Sequence, residues 1–179
     1  PIKRSNALIQ FSREHHFGLL LVWKIIQGLK SEVDPERISN YLLFFFENEL
    51  NAHFKEEEKD LFIKLPEEDA LRIQAFQEHE NIYQLVADIR SDKTNTNILS
   101  EFALILENHI RFEERSLFNH LQQILTIDEM KKLEEEHSTE DGYFADLDKV
   151  NKANVQKRLK ELLATKPKAK KLGAEGGNP

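Results

Sequence analysis

Two stretches of the chain carry the same chemical phrase. His53-Phe54-Lys55-Glu56-Glu57-Glu58-Lys59-Asp60-Leu61-Phe62 and His109-Ile110-Arg111-Phe112-Glu113-Glu114-Arg115-Ser116-Leu117-Phe118 both read H-x-x-x-E-E-x-x-L-F. Side chains four apart on a helix are stacked neighbours, so His53 with Glu57, and His109 with Glu113, each set an imidazole beside a carboxylate. Each pair can reach one metal ion. The same pairing is common on solvated helix surfaces, so the direction in which it points decides what it means.

At about 100° per residue, His53 and Glu57 share a stripe with Leu43, Phe46, Leu50 and Leu61, and His109 and Glu113 share one with Phe102, Ile105, Leu106 and Leu117. Both pairs are expected to face a core, whereas Glu58 and Glu114, about 100° further round, are expected to be solvated. His15 lies on the axis of a Phe11/Leu19/Val22 stripe, and His79 sits on one side with Ala75, Ile82, Val86 and Ile89. For any one of these residues alone, packing is the better reading. The order histidine, H-x-x-x-E, histidine, H-x-x-x-E on four successive apolar stripes reverses that preference. Burying four imidazoles and two carboxylates is costly, and a bound cation resolves the cost for all six together.

The predicted ligands are therefore His15, His53, Glu57, His79, His109 and Glu113. His16, at the margin of its stripe, is assigned a flanking role and is the alternative to His15. His120 lies about 10 Å along its helix from Glu113 at 1.5 Å per residue, too far for the same centre. His120 and His137 are read as ordinary polar or packing residues.

These residues need long helices to position them, and the composition supplies them. The 179 residues include only 6 Gly and 5 Pro, with 40% hydrophobic and 32% charged residues, which points to one all-α domain. A first helix is expected over about Ser5 to Lys30. Asp34-Pro35 is a cap and first-turn pair for a second helix reaching about Leu65, which Pro66 ends. A third is expected over about Glu67 to Arg90, a fourth over about Ile98 to Leu125, and Thr126 with Glu129 forms a capping box for a short fifth ending near His137. Residues 1–137 are thus read as a four-helix bundle plus a short helix. Residues 138–163 are read as a C-terminal helical extension, and 164–179, basic and glycine-rich, as a mobile tail.

A net charge of −7 argues against nucleic-acid binding, and the absence of cysteine excludes thiolate sites and disulfides. No secretory signal or membrane-length apolar run is present, so the expectation is a cytoplasmic chain without a membrane partner. His79-Glu80 opens a metalloprotease-like phrase, but Tyr83 stands where its closing histidine would be.

Histidine-rich ligation with a carboxylate minority suits iron, manganese or zinc, and six ligands exceed a four-coordinate zinc site. Two octahedral ions bridged by Glu57 and Glu113 would use all six and keep open positions. Ferritin-like proteins use Glu-x-x-His and mostly carboxylates, the opposite order and ratio. The doubled phrase, with His15 in a Glu-His-His context and His79 in Glu-His-Glu, resembles the hemerythrin-like, or HHE cation-binding, family over about Ala7 to Leu125. The resemblance implies an up-and-down four-helix bundle and a non-haem diiron centre, with the four histidines as terminal ligands, the two glutamates as bridges, and manganese or zinc as substitutes for iron. It also implies a small diatomic or oxo/hydroxo ligand.

Oxygen-carrying members have a fifth histidine one turn after the third-helix ligand, where this chain has Tyr83, available as a phenolate ligand, a hydrogen-bond donor or a packing residue. The six-ligand set is similar to the hemerythrin domain of iron-centre repair proteins. The functional expectation is binding or sensing of oxygen, nitric oxide or iron. The alternatives are a diiron enzyme or iron donor in nitrosative or oxidative stress defence, and a metal-free helical interaction protein.

Overall fold

Helix α1, Asn6–Lys30, buries Leu8, Phe11, His15, Leu21, Val22 and Ile25 along one stripe, the three- and four-residue spacing of an amphipathic helix. In this computed structural model, which describes residues 4–138, α1 closes through Glu32, whose φ of 52° turns the chain out of the helix. Asp34 then caps α2 by accepting from the Glu36 N–H at 3.0 Å, with Pro35 in the first turn. Helix α2 spans 35–64 and is not uniform: π-helical turns at Phe46–Leu50 and Glu57–Leu61 interrupt it, and a 3-10 turn, Phe62–Lys64, ends it.

Asp69 caps α3, Ala70–Ser91, by accepting from the Leu71 and Arg72 N–H groups. The helix thus starts three residues later than the expected Glu67, because Asp69 rather than the post-proline position supplies the acceptor for its free N–H groups. Asn95 caps α4, which spans 96–124 and contains one π-helical turn, Glu113–Leu117. The capping box forms as expected: Glu129 accepts from Thr126 N–H at 2.8 Å, Thr126 Oγ1 accepts from Glu129 N–H at 3.3 Å, and α5 covers Ile127–Ser138. The described residues form helices only, with no strand. No described helix is long and apolar enough to cross a membrane. The extension and tail expected beyond residue 138 lie outside the described residues.

Helix α1 lies against α2 and α4, and α3 lies against the same two. Their apolar stripes form two clusters rather than one. The first gathers Leu21, Ile25, Leu42, Ile82, Phe102 and Leu106, and the second Leu8, Phe11, Leu61, Phe62, Phe118 and Leu121. On each of α1 to α4 the buried histidines and glutamates fall where residues of one cluster give way to those of the other.

Gly18, one turn beyond His15, faces α4 closely: a Cβ there would sit 2.8 Å from Ile110 Cδ1 and 3.7 Å from Leu50 Cδ2. The obstacle is the tip of a flexible side chain, so Gly18→Ala should leave stability within about 1 kcal/mol, the gain in helix propensity offsetting displacement of one methyl. Gly18→Leu should cost about 1–3 kcal/mol by overpacking. Equilibrium urea unfolding of both variants checks this, and equal effects would show that α1 and α4 do not touch there.

Candidate metal centre

The structure brings the six predicted ligands together. His15, His53, Glu57, His79, His109 and Glu113 are each no more than 5% exposed, and both glutamates are fully buried. They form two groups, His15/His53/Glu57/Glu113 and Glu57/His79/His109/Glu113, in each of which the ligand atoms all lie within 4.8 Å of one another. Glu57 and Glu113 belong to both. Either group could hold a metal ion, with two imidazole nitrogens and two carboxylate oxygens. His16 is exposed and belongs to neither group.

The inward-facing atoms fit a cation better than they fit each other. His15 Nε2 lies 3.0 Å from Glu113 Oε2 and 3.4 Å from Glu57 Oε1; His53 Nε2 lies 3.3 Å from Glu57 Oε1, and His109 Nε2 3.3 Å from Glu113 Oε2. Yet His15 Nε2, His53 Nε2 and all four oxygens of Glu57 and Glu113 are buried without a hydrogen bond of acceptable geometry. Native interiors rarely leave polar atoms so. His79 Nε2 faces His109 Nε2 at 3.0 Å. Two imidazole nitrogens cannot both offer lone pairs across that distance without a proton or a cation between them.

Behind each histidine stands a further glutamate. His15 Nδ1 donates to Glu114 at 2.8 Å, His53 Nδ1 to Glu14 at 2.7 Å, His79 Nδ1 to Glu58 at 2.8 Å and His109 Nδ1 to Glu78 at 2.9 Å. A carboxylate acceptor places the proton on Nδ1 and aims the Nε2 lone pair inward, as carboxylate-buttressed metal histidines do. The order is cyclic: α1 supplies Glu14 to α2, α2 supplies Glu58 to α3, α3 supplies Glu78 to α4, and α4 supplies Glu114 to α1. Gln10 and Gln74 hold Glu14 and Glu78 in turn, each donating at 2.7 Å.

This corrects the expectation that Glu58 and Glu114 are solvated: their side chains are only 28% and 27% exposed and each grips a histidine. The projection assumed regular α-helix, but π-helical turns begin at Glu57 and at Glu113. A wider turn rotates less per residue, so the second glutamate of each pair stays nearer the inward face. Glu14 and Glu78 entered the sequence reading only as the residues before His15 and His79, with no role of their own. Their signal was present as a second doubled phrase, Gln10-x-x-x-Glu14-His15 and Gln74-x-x-x-Glu78-His79.

No family model, curated protein or solved structure matches the chain.

Tyr83 packs edge-on against Phe54 and Phe46, with its ring 6.4 Å from that of His79. Burial, and then the charge of Glu58, push its phenol up to about 12, so at neutral pH it keeps its proton. His120, outside the centre, donates to Asp69 at 2.8 Å and ties the start of α3 to the end of α4.

Burial alone would lower the pKa of His15, but Glu113, Glu114 and Glu57 raise it well above its ordinary value. Burial likewise opposes Glu57, yet His53, His15 and His79 hold it well below the usual carboxylate range. His79, with burial again opposing, is lifted to about 9 by Glu57 and Glu58, and Glu114, despite burial, is held at about 2 by His15 and Arg4. In the metal-free protein, protons on these histidines do part of the cation's electrostatic work.

The His79 contribution to stability is complete below its ordinary value of 6.5 and is lost as pH rises through about 9. That of Glu114 is complete above 4.5 and is lost as pH falls through about 2. Metal-free protein should therefore lose stability between pH 6.5 and about 9, as urea unfolding against pH would show. A metal ligand must give up the competing proton, so the stabilisation gained on adding a divalent cation should grow across the same interval. A gain that shrank with rising pH would count against ligation by His79.

Proposed function

We propose that this chain is a hemerythrin-like protein, an up-and-down four-helix bundle that holds a non-haem diiron centre and binds or senses oxygen, nitric oxide or iron itself. The observation that carries the reading is the set of inward atoms on His15, His53, Glu57 and Glu113 that are buried without hydrogen bonds, in two groups that share both carboxylates. Shared carboxylates fit a bridged pair better than two separate ions. His15 and His53 would hold one ion and His79 and His109 the other, with Glu57 and Glu113 serving both, and so few protein ligands per ion would leave room for a small exogenous ligand. Bound iron would supply reversible redox chemistry and affinity for diatomic ligands.

The residues around the centre do the remaining work. The outer glutamates fix the histidine tautomers, and Phe118, stacked on His15 at 5.4 Å, and Phe54, stacked on His79 at 4.0 Å, exclude water from the imidazole faces. Tyr83, packed edge-on against Phe54 and Phe46, stands in the place of the fifth histidine on which oxygen carriage by the hemerythrin route depends.

Metal analysis of anaerobically purified protein should return two irons per chain, and the optical spectrum should change on exposure to oxygen or nitric oxide. A metal-free result would remove the reading. Two irons with no spectral response would leave the centre and remove the gas-binding role, whereas turnover with an electron donor would move the protein to the enzymes. At a free-ion concentration of about 100 Kd, each site should add about 2.7 kcal/mol, or roughly 5–10 °C in Tm for a chain of this size. Glu57→Ala should lose at least one ion per chain together with most of that gain. Unchanged iron content and Tm would take Glu57 out of the bridge.

A further inference from the structure

The two halves of the centre repeat each other down to the outer hydrogen bonds, and differ in what holds the outer glutamates from behind. In the half built on His15 and His53, Glu114 takes His15 Nδ1 on Oε1 and the Arg4 guanidinium on Oε2, the latter at 2.7 Å. Arg4 is built in: its side chain is 8% exposed, it donates to Asn119 Oδ1 at 2.7 Å and to the Glu114 carbonyl, and it lies 5.4 Å from the Phe118 ring that stacks on His15. In the half built on His79 and His109, the counterpart of Glu114 is Glu58, and what faces it is the neutral hydroxyl of Tyr83, which also has Glu57 and Glu80 as charged neighbours. Arg72, on that side, donates to the Leu65 carbonyl and lies over Phe76 rather than on an outer glutamate.

We propose that Arg4 polarises the centre, making the half built on His15 and His53 the weaker cation site, so that the half built on His79 and His109 fills first. This rests on the metal-centre reading above. A guanidinium keeps its charge at every accessible pH. Held one glutamate behind a ligand and largely out of water, it opposes any cation bound to that histidine, and opposes one in the far half less, because the interaction falls with distance and screening. The sign separates this role from a structural one. A residue that merely braced Glu114 would weaken metal binding when removed, whereas removing a repelling charge tightens it.

Cobalt(II), followed by its visible absorption, tests the proposal on the full chain. The unaltered protein should bind two ions; fewer would overturn the metal-centre reading itself. His15→Ala keeps the far half and His79→Ala keeps the half next to Arg4, and the first should bind its single ion at least about fivefold more tightly. Equal affinities, or the reverse order, would overturn the proposal while leaving the centre intact, whether or not any Arg4 variant folds. In the His79→Ala background, Arg4→Gln should tighten binding by on the order of tenfold, and Arg4→Lys, which keeps the charge, should stay within about twofold of the parent. Weaker or unchanged binding in Arg4→Gln would overturn it too.

Discussion

The structure depends on a conflict between burial and charge at one level of the helices. Six ionisable side chains occupy positions where periodicity demands apolar ones, and Glu57 and Glu113 reach them fully buried. A carboxylate in such a place costs several kcal/mol unless countercharge and hydrogen bonds surround it. The chain answers from outside with the four glutamates behind the histidines, and leaves the inside unsatisfied. A centre so finished at its rim and so unfinished at its middle could hold a cation.

Much of this was legible in the sequence, because it is written in period. His53-x-x-x-Glu57 and His109-x-x-x-Glu113 can be placed on inward stripes by counting, and His15 and His79 by the apolar residues above and below them. The caps at Asp34 and Thr126 and the breaks between helices follow from local chemistry in the same way. What counting could not reach were contacts between helices. That Glu14 grips His53, or Glu78 grips His109, depends on how two helices sit side by side, and no intrahelical spacing records it. Glu58 and Glu114 were misplaced for a different reason: the projection assumed a constant rotation per residue, and the rotation changes where they begin.

The ring of outer bonds ties the polar layer to the two apolar clusters it separates. Each helix gives a carboxylate to one neighbour and receives one from the other, so no helix can turn about its axis without disturbing two links. The clusters on either side resist the same motion by packing. The ligand geometry is thus held by both kinds of force, and the local symmetry of α1 with α3 and of α2 with α4 is broken where Arg4 and Tyr83 stand behind Glu114 and Glu58.

The widened turns at Glu57–Leu61 and Glu113–Leu117 carry a consequence for how this protein can vary. Each holds a residue more than a regular turn would. Removing one would restore the ordinary helix and leave Leu61 or Leu117 near its present direction, but would take away the offset that keeps Glu58 or Glu114 beside its histidine. In these two stretches the number of residues is as much a part of the centre as their identity: a one-residue deletion would spare the apolar face downstream and still take an outer carboxylate from its histidine.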